Sequence, residues 1–252
     1  MRATWQPAVA VAALCLGCEA APTPESSSAA EPTPVAEVSP PPAVDTRRCK
    51  PAPGTTGSPT TIAQAVALAN GLPFPVTAEC YVEALDRPLR AEATTSRSSR
   101  QPAVDERSPR VFLWGSDTFV TTVVLGGEGR NLIEFGQFTT PRRSVKGELE
   151  FPLTEPISSA TAFDQVRNLE HPTITRCFVC HDAERDEPGI PGGRSSLALR
   201  PRPSSVVDVA SLSKERDLCD PTAEPDRCRW LEALAGHGPI EHQPFDASLP
   251  SF

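Results

Sequence analysis

The sequence TRCFVCH at residues 175–181 decides how the second half of this chain is interpreted. It places two cysteines, Cys177 and Cys180, three positions apart, with a histidine, His181, directly after the second. Thiols and imidazoles are side chains that readily bind metals and cofactors. We therefore treat residues 175–181, called the motif segment below, as the candidate functional site.

The residues on either side of the motif segment have helical patterns. Phe163 and Val166 precede it at a spacing of three, and Leu231 and Leu234 follow it at the same spacing. The sequence therefore predicts a small, mainly helical domain over residues 157–252.

The order Cys-x-x-Cys-His is the attachment signature of c-type haem. Two thiols on one turn can form thioether bonds with the two vinyl groups of a porphyrin, and the adjacent histidine can supply the proximal nitrogen to the iron. We expect one haem c, attached at Cys177 and Cys180, with His181 as the proximal iron ligand.

Two other uses of the cysteine pair fit the sequence less well. A redox-active disulfide of the thioredoxin kind would follow a strand, whereas a helical pattern precedes Cys177. A zinc site would need further ligands at matched spacing, but Cys219 and Cys228 are nine positions apart. A structural disulfide at the motif is the alternative that stays open.

Residues 160–238 contain the motif, the two helical patterns and one aromatic residue in each pattern, Phe163 and Trp230. In this combination they resemble a small single-haem cytochrome c domain. In that family the first and last helices cross, and the two aromatic side chains pack at the crossing. The resemblance implies transfer of single electrons between redox partner proteins, rather than catalysis. Family members commonly place a methionine on the distal side of the haem, whereas the one methionine of this chain is Met1.

A different distal ligand is therefore expected. The remaining histidines are His171, His237 and His242. His237 and His242 follow the proximal histidine by 56 and 61 positions, far enough for the chain to return to the other side of the haem, so His237 is the first candidate and His242 the second. The alternatives are that each is a surface histidine, or that the distal position is open, as in a haem sensor or a peroxidase.

The first half of the chain has the patterns of strands. Runs of β-branched and aromatic residues at 111–114, 119–125, 132–135 and 145–151 are separated by turn-forming residues. They predict a small antiparallel sheet in a β-rich domain over residues 60–156, which has no catalytic motif. The predicted fold class is therefore α+β, a β-rich N-terminal domain followed by a mainly helical, cytochrome c-like domain.

The eight cysteines indicate an oxidising compartment. We expect Cys219 to pair with Cys228, and Cys49 with Cys80, although the last two could each pair elsewhere.

Residues 1–18 have the pattern of a secretory signal peptide, because the apolar run at 8–16 is too short to span a bilayer. The sequence LGC ending at Cys18 resembles a bacterial lipobox, with Cys15 where leucine is usual. This resemblance implies that Cys18 is lipidated and anchors the protein to a membrane. The alternative is ordinary cleavage near Ala20, which would release a secreted protein.

Residues 19–59 are rich in proline and small polar residues, which predicts a disordered tether. The formal net charge of −8 argues against nucleic acid as a partner. The sequence as a whole predicts an electron-transferring protein of the cell envelope that faces the periplasm. The outer membrane is favoured because Glu19, rather than aspartate, follows the lipidated cysteine. The alternative from another class is a non-redox envelope lipoprotein with structural disulfides.

Overall fold

The structure is a computed structural model that describes residues 45–252, and these form one compact unit. The predicted signal peptide, the predicted lipidation site Cys18 and residues 19–44 of the predicted tether lie outside the described residues. None of the described helices is both long and apolar enough to cross a membrane.

Residues 45–252 form five α-helices and nine strands. The helices are α1 (Ile62–Asn70), α2 (Ala78–Glu83), α3 (Ser159–Asp164), α4 (Ala210–Asp217) and α5 (Pro225–Ala235). The strands are β1 (Leu89–Thr94), β2 (Arg110–Ser116), β3 (Phe119–Val124), β4 (Leu132–Thr140), β5 (Arg143–Glu150), β6 (Arg185–Asp186), β7 (Arg194–Leu197), β8 (Val206–Val207) and β9 (Ile240–His242). Short 3-10 helices lie at Arg176–Val179 and Pro203–Ser205.

All nine strands belong to one sheet with the order β6-β7-β5-β4-β3-β2-β1-β8, and β9 also pairs with β1. The pairing is antiparallel except between β1 and β9. Strands β2 to β5 are consecutive in the chain and adjacent in the sheet. The strands predicted between residues 111 and 151 are thereby confirmed.

Successive side chains of a strand point to opposite faces of the sheet. One face, called the core face, contributes Val111, Leu113, Ile133 and Phe135 to the main hydrophobic core. Helices α1, α2 and α5 cover this face through apolar side chains such as Leu68, Tyr81 and Leu231. The opposite face, called the cavity face, contributes Phe112, Trp114 and Val120 to a second, smaller cluster with Ala198, Phe245 and Leu249.

The predicted fold class is wrong in its second half. Strands β6 to β9 all follow the motif segment in the chain, yet they extend the same sheet as β1 to β5. No separate helical domain forms within residues 157–252, because the chain there adds short strands to both ends of the sheet. These strands have only two to four residues, too few to show the alternation that identifies a strand in a sequence.

Both predicted disulfides are confirmed. Cys49 is bonded to Cys80 in α2, and Cys219, just after α4, is bonded to Cys228 in α5. The first bond attaches the residues before α1 to the helical layer, and the second holds α4 and α5 together.

Candidate functional site

The motif segment is a 3-10 turn whose conformation is held by Thr175. The hydroxyl of Thr175 accepts a hydrogen bond from the backbone N–H of Cys177 at 3.1 Å. The carboxylate of Glu184 in turn accepts from both the backbone N–H and the hydroxyl of Thr175. The backbone N–H of His181 donates to the carbonyl oxygen of Cys177 at 2.8 Å, which completes the turn. The three candidate ligands are therefore presented by one ordered loop.

The imidazole of His181 is bound on one side only. Its Nδ1 atom lies 2.8 Å from the carbonyl oxygen of Leu197, the last residue of β7. Burial, assisted by the nearby positive charge of Lys146, lowers the pKa of His181 to about 3. The ring is therefore neutral at physiological pH, and since a carbonyl oxygen only accepts, Nδ1 must hold the proton. This leaves Nε2 with a free electron pair, and no described residue makes a hydrogen bond to it.

Cys177 and Cys180 are free thiols, whereas the other four described cysteines form disulfides. Burial raises the pKa of the Cys177 thiol to about 12. The nucleophilic cysteine of a thiol–disulfide exchange site needs a lowered pKa, so that a thiolate is present near neutral pH. The electrostatics of Cys177 therefore argue against a thioredoxin-like activity.

All three motif side chains line one cavity on the cavity face of the sheet. The cavity volume open to the centres of water molecules is about 110 Å³. Its apolar lining includes five phenylalanines and four aliphatic residues, namely Phe112, Phe135, Phe138, Phe245, Phe252, Val120, Val166, Ala198 and Leu199. A concave site with an apolar lining and a few polar groups is typical of small-molecule and cofactor sites.

The carboxylates of the cavity are matched by arginines. Arg110 pairs with Glu134 at 2.6 Å, and Arg100 pairs with Glu148 at 2.7 Å. Lys146 also lines the cavity but forms no ion pair with the described residues, and its amine donates a hydrogen bond to the hydroxyl of Ser144. Burial lowers the pKa of Lys146 to about 8. Apart from Lys146 and the exposed Arg176, the charged side chains of the lining are therefore paired. Its other polar residues are the motif residues and the hydroxyl-bearing Ser98, Ser99, Thr122 and Ser144.

Gly136 in β4 leaves space at the cavity face. It lies opposite Val120 of β3 and Lys146 of β5. A Cβ atom at Gly136 would be 2.9 Å from the Cγ1 atom of Val120, which is closer than carbon atoms pack. Gly136 thus allows an occupant of the cavity to approach the strand backbone.

The structure does not bring the predicted distal ligands to this cavity. His237 lies beyond α5, where its Nδ1 is 3.1 Å from the hydroxyl of Thr46 and its Nε2 is 3.5 Å from the carboxylate of Glu83. His242 is exposed in β9, opposite Ala91 of β1. Strand β9 pairs with β1 near one end of the sheet, and this pairing places His237 and His242 there. The motif segment lies towards the other end, beyond β5.

The sequence reasoning missed most of the cavity lining. The sequence places Phe112, Phe138 and Lys146 in a predicted β-rich domain separate from the motif, and no pattern marks Phe245 or Phe252. Apolar and charged residues alternate over residues 145–151, which places Lys146 on the face of the sheet opposite Val145 and Leu149. This alternation is the sequence signal that could have marked Lys146 as a residue outside the main core. The pattern did not show that this face lies under the motif segment.

The resemblance to a cytochrome c domain is wrong. Helix α3 packs against α1 and β5, while α5 packs against α2 and α4, so the two helices do not form the crossed pair of that family. Within residues 45–252, no group of three or more His, Cys, Asp or Glu side chains is arranged to hold a metal ion. No protein family, curated protein or solved structure matches this chain.

Proposed function

We propose that this protein carries one haem, attached covalently through Cys177 and Cys180 and bound at its iron by His181, on a β-sheet scaffold that differs from the helical cytochrome c fold. The observation that supports this proposal best is the state of His181. Its Nδ1 is bound to Leu197 while its Nε2 is free, and it directly follows two free thiols that line the same apolar cavity. In metal-binding histidines generally, a hydrogen bond at the ring nitrogen that does not bind the metal fixes the orientation of the ring.

The lining of the cavity suits a mainly apolar group. It is rich in phenylalanine, and Gly136 provides room at the sheet. The proposed attachment sites, Cys177 and Cys180, line this cavity. The cavity lining includes residues from both halves of the chain, so the sheet and the motif segment would both contact the haem.

The covalent attachment needs no oxidant or reductant. Each thiol adds across one vinyl double bond, so that a sulfur–carbon bond forms, the thiol hydrogen moves to the neighbouring carbon and nothing leaves. Haem, once bound, supplies an iron that can be oxidised and reduced and that can take a small ligand.

The lining favours an open coordination position over a bis-histidine iron. Among the described residues, no methionine and no histidine other than His181 lines the cavity. Glu134 and Glu148 are held by arginines, which leaves neither as a free acid–base group of the kind a peroxidase uses. We therefore favour the binding of a small molecule to the iron, coupled to its oxidation state, over a pure electron relay. The apolar run and the lipobox-like sequence before Cys18 support a location in the cell envelope.

The first test is a pyridine haemochrome spectrum of the full chain, expressed with a cytochrome c maturation system and denatured to remove non-covalent haem. We expect the band of a haem with two thioether bonds, and we expect the Cys177→Ser/Cys180→Ser variant to lack it. The reduced protein should bind carbon monoxide rapidly, because no second histidine and no methionine of the lining has to leave the iron. Absence of covalent haem overturns the proposal in favour of an envelope protein with structural disulfides.

A second measurement tests whether haem occupies this cavity. The chain has three lysines, of which Lys50 and Lys214 are exposed and Lys146 lines the cavity. Acetylation followed by mass spectrometry should modify Lys146 in the haem-free double variant and spare it in the haem-bound protein. Lys50 and Lys214 serve as internal controls, since both should react equally in the two proteins. Equal labelling of Lys146 in both would place the haem elsewhere.

A further inference from the structure

The charges inside the cavity do not balance. Its two carboxylates are already neutralised, since Glu134 is paired with Arg110 and Glu148 with Arg100. Lys146 forms no ion pair with any described residue, although its side chain lines the same space. Burial lowers the pKa of its amine to about 8, which still leaves the amine mainly protonated at pH 7. A positive charge that is removed from water without a counter-charge is costly, and an anion beside it would reduce this cost.

The cavity has room beside this amine. In the sheet, Lys146 of β5 lies opposite Gly136 of β4, and Gly136 lies opposite Val120 of β3. All three residues line the cavity. Because glycine has no side chain, no side chain of β4 stands directly opposite Lys146. A ligand can therefore approach the amine from the cavity.

Ser144 adds a second polar group at this place. It lies on the same face of β5 as Lys146, and its hydroxyl oxygen accepts a hydrogen bond from the lysine amine. The hydrogen of this hydroxyl makes no bond to a described residue, so it remains free to donate. Ser196 of β7 lies opposite Ser144, and its buried hydroxyl also has no partner within residues 45–252. A protonated amine with a free hydroxyl donor beside it suits an anion that has acceptor oxygens.

The size of the cavity and its apolar lining restrict the anion further. The volume open to the centres of water molecules is about 110 Å³. An apolar cavity of about 150 Å³ holds one benzene molecule, so this one has room for about four or five non-hydrogen atoms. Phe112 and Phe138 line it near the sheet. The ligand that fits is therefore a carboxylate with a very short alkyl part.

We propose that the haem-free chain binds a small carboxylate, of the size of propionate, in this cavity. The carboxylate accepts hydrogen bonds from the amine of Lys146 and the hydroxyl of Ser144, and its alkyl part lies against the phenylalanines of the lining. Its single negative charge neutralises the one unpaired amine. The inference goes beyond the proposed function and does not rest on it, because it concerns the cavity before a haem is attached. A haem in this cavity would exclude the carboxylate.

The test measures the binding of propionate to the full chain, expressed without a cytochrome c maturation system, by saturation-transfer NMR of the ligand. Propionamide has the same shape but no charge, and it should bind roughly tenfold more weakly because it makes no charge-assisted hydrogen bond. Lys146→Met keeps the length of the side chain without its charge and should remove the preference for propionate. Lys214→Met is the matched control, since Lys214 is exposed and does not line the cavity.

A second measurement needs no variant, so it also covers a Lys146→Met protein that does not fold. Propionate should slow the acetylation of Lys146 in the haem-free chain, whereas propionamide should not, and the exposed Lys50 and Lys214 should react equally throughout. The site is overturned if propionate shows no saturable binding, if both ligands bind equally, or if Lys146→Met keeps the parental preference. Unchanged acetylation of Lys146 in the presence of propionate overturns it as well.

Failure of the proposed function gives a different result. A chain that acquires no covalent haem but prefers propionate over propionamide through Lys146 loses the proposed function and keeps this site. A chain that acquires covalent haem, while its haem-free form does not bind propionate, keeps the proposed function and loses this site.

Discussion

The Nδ1 atom of His181 lies 2.8 Å from the carbonyl oxygen of Leu197, so that a residue of the motif segment is bound to the end of a strand 16 positions later in the chain. The bond selects the neutral tautomer in which Nε2 has the free electron pair. It also fixes the direction of the ring, because the carbonyl of Leu197 belongs to β7, which pairs with β5 in the sheet. The sheet therefore determines where the imidazole points.

Replacing His181 by glycine should change the iron spectrum without removing the haem. The two thioether bonds do not depend on the imidazole, whereas the iron loses its protein ligand. Added imidazole should restore the absorption bands of the parental protein by filling the vacated space. His171→Gly is the control, because His171 is exposed and does not line the cavity. Identical spectra for His181→Gly and the parental protein would show that His181 is not the iron ligand.

Gly136→Ala should lower the ratio of haem to protein, because the added methyl group would enter the cavity close to Val120. The control is Gly147→Ala in the adjacent strand, whose Cβ would point to the core face and lie 3.2 Å from Ile62 Cδ1 and 3.4 Å from Ala162 Cβ. That variant should retain haem and instead lose about 1–3 kcal/mol of stability through overpacking. Haem content and denaturant unfolding are measured on both. Equal haem content in the two variants would contradict the role given to Gly136.

Removal of either disulfide should destabilise the protein, and removal of Cys49–Cys80 should do so more. The bonds close loops with sequence separations of 31 and 9 residues. Loop-closure entropy predicts losses of about 3.7 and about 2.6 kcal/mol for the two double cysteine-to-serine variants. Urea unfolding of each variant measures the difference. The reverse order would mean that contacts in the folded state, rather than loop length, dominate the contribution of these bonds.

Glu92→Gln should weaken the pH dependence of stability. Burial raises the pKa of Glu92 above its ordinary value of 4.5, in spite of the hydrogen bond from Phe245. The folded state therefore binds a proton more readily than the unfolded state, and the free energy of unfolding falls as the pH rises above 4.5. Glutamine keeps an acceptor for Phe245 but does not ionise, so this contribution to the slope should disappear.

Unfolding by urea at several pH values tests this expectation. Glu241→Gln is the matched control, since Glu241 is an exposed carboxylate on the nearby strand β9. A slope that is unchanged in Glu92→Gln, or reduced equally in both variants, would contradict the assignment to Glu92.

The amino-acid sequence by itself determined the features that depend on neighbouring residues. The four strands from β2 to β5 have alternating or β-branched patterns and short turns, so their positions could be predicted. The two disulfides join cysteines that are near each other in the chain. The motif segment is a local sequence, and its cofactor is a prediction that the haemochrome experiment tests.

Only the tertiary structure decided what surrounds the motif. Strands β6 to β9 are too short to have a pattern of their own. Strands β7, β8 and β9 form because β5 and β1 offer unpaired backbone groups at their edges, and β6 then pairs with β7. Their pairing places His237 and His242 away from His181 and brings His181 and Phe252 to the cavity that Gly136 and Lys146 of the paired strands β4 and β5 also line. The cavity thus combines residues of β4 and β5 with Phe252, which lies more than a hundred positions later in the chain. Such contacts depend on the burial of both sheet faces as a whole, which no local pattern of side chains encodes.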